Sequence, residues 1–334
     1  MITDARVLQA EFVPQEVAHR DAEVNDLSRA LQPITGGDPG ETAFLFGPSG
    51  TGKTCIAQFT VDRLREEVLD INHQYVNCWQ DHSRFKTLYR VLDGIEQTLD
   101  IHQRSTPHAE LLERLHDYDG PPYVVILDEV DQLDDKSLLY DFYRIRGLSM
   151  VLIANREEDL FASLDERLTS RLHSSRRIQF NKYGIDELVT ILEARAEWGL
   201  EPEAIGREGL ERIADAAAGD SRVAIGILKS AARTAEQEDT RRITTEVIAD
   251  SIPEGRAAVK QRNLKALTSH QRTLYEIVTE SGEVDPGELY GQYQERVSDP
   301  KTKRTVRNYL QKMCHYNLII AEGANRARTY RPVE

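Results

Sequence analysis

The sequence is short of cysteine, of lysine and of long apolar runs, and the first and last of these shortages each exclude a class of protein. Three cysteines, Cys55, Cys78 and Cys314, stand far apart with no CxxC pair among them. Neither a zinc site nor a disulfide framework is indicated, and all three are expected as free thiols. The longest apolar runs, Val124 to Leu127 and Met150 to Ala154, fall far below the ~18 residues of a membrane span. The first fifteen residues contain Asp4 and Glu11 and no apolar block, which argues against a secretory leader and for a cytoplasmic location. Only 10 of the 42 basic residues are lysine, against a formal net charge of −14. An acidic, arginine-rich surface of this kind is expected of a protein kept in concentrated salt, and GC-rich coding would produce the same shortage of lysine.

What is present is a globular composition, 40% hydrophobic and 29% charged over 334 residues, enough chain for two domains or a little more. Charge is unevenly divided. Residues 256–334 carry 14 Lys and Arg against 9 Asp and Glu, which leaves a net −19 on residues 1–255. Between Pro300 and Arg331, eight basic residues stand against one acid, Glu322. A basic module hangs from an acidic body, the footprint of a nucleic-acid-binding unit.

Apolar patterning predicts a strand over 42–46, a Gly-rich turn and a helix from Lys53 to about Leu69, then strands over 73–78, 123–127 and 148–154 and a weaker one over 177–180. Strands spaced by helices imply βαβ units and a mostly parallel sheet. After Asn181 the strand signals stop. Helical patterns interrupted at Gly199, Gly206 and Gly219 predict a small helical subdomain up to about residue 252. Pro253-Glu254-Gly255 predicts a break, with residues 257–261 as a linker. The last unit reads as helices near 269–279, 286–296 and 300–316 and short strands around 319–320 and 329–330, the outline of a winged helix-turn-helix. The expected domains are an α/β nucleotide-binding part, 1–181, a helical lid, 182–255, and a DNA-binding winged helix, 256–334.

Gly47-Pro48-Ser49-Gly50-Thr51-Gly52-Lys53-Thr54 matches G-x-x-x-x-G-K-[ST] between a predicted strand and a predicted helix. Its glycines let backbone N–H groups turn inward on phosphates, and the helix start adds its positive end. Lys53 can reach the β and γ oxygens and Thr54 can ligand Mg2+. Cys55 completes the run expected against the nucleotide. The buried strand ending in Asp128-Glu129 offers one carboxylate for Mg2+ and a second to polarise the attacking water. Asn155, directly after the next buried strand, suits a position between the γ-phosphate and that water. Arg222, which starts a helix after Gly219-Asp220-Ser221, is placed to reach the γ-phosphate from the lid. Arg167 and Arg171 lie one helical turn apart, and Arg171 is favoured as an arginine supplied to a neighbouring subunit. In the basic unit, Lys301, Lys303, Arg304 and Arg307 occupy the start of the third helix, suited to the major groove. Arg326, Arg328 and Arg331 sit on the hairpin, suited to phosphates or the minor groove.

Taken in order, Phe12-Val13-Pro14, His19-Arg20, Glu23, the 47–54 loop, Tyr75-Val76-Asn77-Cys78, Leu127 to Asp131, Asn155, Leu168 to Arg171 and Gly219 to Arg222 resemble the archaeal origin-recognition initiators of the Orc/Cdc-six type, AAA+ ATPases with a terminal winged helix. The resemblance covers nearly the whole chain. It implies ATP and ADP with Mg2+ as ligands, slow switch-type hydrolysis, and double-stranded origin DNA as partner. It also implies help in loading the replicative helicase, self-association on DNA and a nucleoid location. It implies further that Val13, Pro14, Arg20 and Tyr183 lie near the adenine. The stretch between Asn77 and Pro121, with His82, Arg84, Lys86 and Arg90, corresponds to a DNA-touching helical insertion, although a solvated helix face would carry the same charges. A nucleotide-responsive winged-helix transcription regulator is the alternative. A clamp-loader-like enzyme working on protein is disfavoured by the basic terminal unit.

Overall fold

Short β-branched and aromatic runs build one parallel sheet from β1 (Ala43–Phe46), β2 (Asn72–Asn77), β3 (Tyr123–Asp128), β4 (Leu148–Ala154) and β5 (Arg176–Gln179), in the order β2-β3-β4-β1-β5. Every residue of β1, β3 and β4 is buried, as expected of strands covered by helices on both faces. Alternation of side chains divides the core in two. Phe44, Phe46, Val125, Leu127 and Leu152 face one layer, packed with Leu88 and Leu92 of a helix at Arg84–Asp93. Leu45, Ile126, Ile153 and Ile178 face the other, packed with Leu27 and Leu31 of α1 (Asp21–Leu31) and Ile56 and Val61 of α2 (Lys53–Glu67). The Arg84–Asp93 helix is α3; it is followed by α4 (His108–His116), α5 (Leu138–Tyr143), α6 (Glu157–Phe161) and α7 (Glu166–Leu172).

A helical group follows: α8 (Ile185–Gly199), α9 (Arg207–Ala217) and α10 (Ser221–Gln237). The glycine breaks fall where the pattern places them, with Gly199 ending α8, Gly206 capping α9 and Gly219 preceding α10. Asp220 caps α10 by accepting from the Arg222 and Val223 amides. The computed structural model describes residues 1–68, 70–103, 105–162, 164–323 and 327–333. It divides into two units, Met1–Ile248 and Ala249–Glu334.

Helix α11 (Thr245–Lys265) begins in the first unit and ends in the second. It corrects the expected break and linker, because Pro253 lies inside a continuous helix. Proline there removes one ladder hydrogen bond, at a cost of ~3 kcal/mol. Good helix formers on either side, and the burial of Val247 and Ile248 before it and Asn263 after it, offset that cost. The second unit continues with α12 (Ser269–Ser281), α13 (Pro286–Arg296), α14 (Lys303–His315) and an antiparallel pair, β6 (Ile319–Glu322) with β7 (Thr329–Pro332). Leu274, Ile277, Leu289, Tyr293, Leu310, Met313, Ile319 and Tyr330 are buried within it. Thr302 caps α14 by accepting from the Thr305 amide, so Lys301 precedes this helix rather than belonging to it. Among the described residues, no helix is long and apolar enough to cross a membrane.

Candidate functional site

The carboxyl ends of β1, β3 and β4 converge, the position where open α/β sheets place ligands. The loop leaving β1 holds Gly50 at φ 75° and Gly52 at φ 91°, left-handed conformations that glycine adopts without strain. A Cβ on Gly50 would collide with the Asp220 side chain, and one on Gly52 would meet the Tyr183 hydroxyl at 2.5 Å. The helical group therefore presses directly on the loop. Ser221 reinforces this, its amide and hydroxyl donating to the Gly50 carbonyl at 3.0 and 2.9 Å. The Arg222 guanidinium donates to the Ser49 hydroxyl.

Lys53 is 7% exposed. Its Nζ donates to the carbonyls of Gly47 and Pro48, each at 2.7 Å, and to Asn155 Oδ1 at 3.4 Å. Burial pushes its ammonium down to about 8, against the pull of Asp128. Asp128 is itself buried. Its Oδ2 accepts from Thr54 Oγ1 at 2.7 Å and from the Tyr75 hydroxyl at 2.9 Å, and its Oδ1 from the Glu129 amide at 2.9 Å. Burial raises the Asp128 pKa, and those donors oppose the rise. Burial, reinforced by Asp128, also holds the Tyr75 phenol protonated as a donor. Glu129 takes a left-handed conformation, φ 56°, which costs a residue with a Cβ about 1 kcal/mol or more. A hydroxyl and a carboxylate sharing one hydrogen bond form a pair of hard oxygen donors that fits a magnesium ion.

Beside the loop, Arg20 is buried. It donates to Glu23 at 2.6 Å and to the Asn181 carbonyl at 2.7 Å, and its guanidinium lies 4.2 Å from the Tyr183 ring centre. Val13 and Pro14 are half-buried. The Cys55 thiol is pushed up to about 11 by burial. The structure thus brings together Gly47 to Thr54, Asp128, Glu129, Asn155, Arg222 and Tyr183. Arg171 stands elsewhere: exposed on α7, it donates to the Arg167 carbonyl at 2.9 Å and lies 5.0 Å from the Tyr140 ring centre. In the 77–121 stretch, His82 faces Asp134 at 2.8 Å, Arg84 pairs with Asp135 and Asp141, and Arg90 pairs with Asp81. Of the four basic side chains singled out there, His82, Arg84 and Arg90 are engaged inside the unit and Lys86 is exposed.

In the second unit Lys303, Arg304 and Arg307 are exposed on α14. Tyr290, Lys303, Arg307, Arg328 and Tyr330 line a groove of about 440 Å³. The half-buried Arg328 therefore turns onto the face that carries Lys303 and Arg307 instead of extending from a hairpin tip. Lys301 pairs with Asp299 at 3.0 Å and Arg331 with Glu322 at 2.6 Å. Arg326 lies outside the described residues.

Two contributors escape a reading of the sequence. Tyr75 falls in a motif, but nothing there says that its hydroxyl reaches Asp128. Arg195, buried in α8, donates to the carbonyls of Val7 and Phe12 at 2.7 and 2.9 Å, and no local pattern announces it.

Residues 16–153 match an AAA ATPase domain and residues 189–252 a Cdc6 AAA+ ATPase-type lid domain. The chain is 53% identical to ORC1-type DNA replication protein 9 of Halobacterium salinarum, covering all of this chain and 94% of the relative. It is 58% identical to ORC1-type DNA replication protein 1 of the same organism over 92% of this chain and all of the relative. In fold it is similar to the Aeropyrum pernix ORC1 protein solved in complex with DNA, with a TM-score of 0.77 and 24% identity over 99% of this chain and 92% of that one. With a helical lid on an α/β core and full-length identity above one half, the chain belongs to the ORC1-type DNA replication proteins, AAA+ ATPases with a Cdc6-type lid.

Proposed function

We propose that this protein is an ATP-dependent replication initiator that binds origin DNA through its C-terminal unit and helps to load the replicative helicase. The observation that carries the reading is the convergence of the phosphate loop, Asp128, Asn155 and Arg222 in a chain 53% identical end to end to an ORC1-type DNA replication protein. ATP and ADP are the ligands. Lys53 and the loop amides hold the phosphates, and Glu129 polarises the attacking water, which Asn155 orients. Arg222, bonded to the loop from the lid, makes lid position depend on what occupies the loop. A magnesium ion held by Thr54 and Asp128 would neutralise charge on the β and γ oxygens. Val13, Pro14, Arg20 and Tyr183 frame the adenine. Arg171 is the arginine offered to a neighbouring copy on DNA. Hydrolysis is slow and acts as a switch.

Three helices and a strand pair form a winged helix. Lys303, Arg304 and Arg307 enter the major groove, while Arg328 and the neighbouring Arg326 serve the backbone. Lys301 assists ahead of the helix. The protein works in the cytoplasm, on the nucleoid. Genome-wide mapping of its bound sites against replication start sites tests this reading: coincidence is expected, whereas enrichment at promoters alone would favour a transcription regulator.

A further inference from the structure

Residues 1–12 form an arm that lies on the helical lid. Ile2 pairs with Leu200, the Thr3 amide donates to the Gly199 carbonyl, and Lys229 reaches Gln9. The centre of this attachment is Arg195. It is 7% exposed and, among the described residues, forms no ion pair with a carboxylate. It spends its charge on two arm carbonyls, Val7 and Phe12, and on the face of the Phe12 ring, 5.0 Å from its centre. Burial lowers its pKa, and its charge also acts on the Cys55 thiol in the first turn of the phosphate-loop helix. A buried guanidinium without a counter-ion is expensive. A methionine of similar length would pack the same space, so the charge is kept for the two carbonyls it holds. Those carbonyls fix the arm immediately before Val13 and Pro14.

We propose that Arg195 is a positioning residue for the nucleotide base: it clamps Phe12 against the lid, so that Val13 and Pro14 present a preformed edge to a purine. The inference rests on the reading of Val13 and Pro14 as the adenine side of the site. The phosphates are untouched by it, because their contacts come from Lys53, the loop amides and Arg222. Lid movement and base capture become one event, since the arm travels with α8.

The test uses the full chain and two probes, ATP and inorganic tripolyphosphate, titrated calorimetrically against wild type, Arg195→Met, Arg195→Lys and Phe12→Ala. Loss of two charge-assisted hydrogen bonds should weaken ATP about tenfold or more in Arg195→Met, with tripolyphosphate affinity unchanged. Arg195→Lys should fall between, because one ammonium cannot span both carbonyls in the geometry of a planar fork. Phe12→Ala should reproduce the selective loss and decides the matter if thermal unfolding finds Arg195→Met misfolded. ATP binding at wild-type strength in these variants, or an equal loss of ATP and tripolyphosphate, would overturn the inference while leaving the nucleotide site standing. Failure of the wild type to bind either probe would instead sink the nucleotide reading itself.

Discussion

Lys53 carries two consequences of its burial. In the unfolded chain it titrates near 10.5 and in the folded protein near about 8. Between those values the unfolded chain holds a proton that the fold does not. The burial penalty is thus fully present below about 8 and is relieved as pH rises through that window. Phosphate binding requires the ammonium. ATP binding above about pH 8 should therefore take up a proton, and affinity should fall by up to about tenfold per pH unit. Calorimetry in buffers of different ionisation enthalpy measures the uptake, and a flat affinity across this range would contradict it. Lys53 and Glu129 should also separate on substitution. Lys53→Ala removes a contact made in ground and transition states and should abolish ATP binding. Glu129→Gln keeps the phosphate contacts and should retain binding while losing hydrolysis. Equal ATP affinity of Lys53→Ala and wild type would remove the assignment. The phosphate loop was legible because it is a local pattern, eight consecutive residues whose chemistry follows from spacing. Tyr75 and Arg195 were not, because their partners lie 53 and up to 188 positions away and only the packed core brings them together.

Among the elements, legibility followed burial. Strand β4 coincides with its apolar run from Leu148 to Ala154, because a strand buried on both faces has no other way to hide such a run. The edge strand β5 has an exposed Arg177 and Gln179 and one buried residue, Ile178, and its expected limits lie one residue away from those found. Pro253 misled more seriously, since local propensity argues for a break and tertiary packing overrode it. Pro253→Ala should restore the missing hydrogen bond and raise stability by about 1–2 kcal/mol, the helix gain being reduced by a more flexible unfolded chain. Urea unfolding followed by circular dichroism measures it; no gain would mean that the proline bend is matched by its surroundings. On α14, Arg304 and Arg307 lie three apart and both are exposed, so they share a face. Arg304→Ala should reduce discrimination between cognate and random DNA by ~1–3 kcal/mol if its contact is bidentate to a base. Arg328, drawn onto the groove beside Arg307, should serve the backbone, and Arg328→Ala should weaken both DNAs alike. Equal losses from Arg304→Ala on the two DNAs would make α14 a phosphate clamp.

At the scale of the whole molecule, charge is the feature that composition reads directly and that folding leaves in place. Residues 249–334 carry 14 basic and 11 acidic side chains, so the first unit bears a net −17 of the total −14. Such a body repels DNA at low salt, and added salt screens the repulsion. Counterion release works in the opposite direction, weakening phosphate contacts as salt rises. Of the eight basic side chains between Pro300 and Arg331, Lys301 and Arg331 are paired with neighbours and Lys312 is buried, which leaves Lys303, Arg304, Arg307 and Arg328 as the proposed DNA contacts among the described residues. A fragment of residues 249–334 should therefore bind duplex DNA weakly, with a slope of log affinity on log salt of about −3 to −4. In the full chain the screened repulsion of the acidic unit subtracts from that slope, so its line should be shallower. The two sets of affinities should approach each other as salt is raised. Titrating both proteins on one duplex across a range of potassium chloride concentrations checks this. A full-chain slope steeper than the fragment's would mean that the acidic unit brings phosphate contacts of its own. Lys86, exposed and outside the pairs that engage His82, Arg84 and Arg90, would then be the first residue to replace.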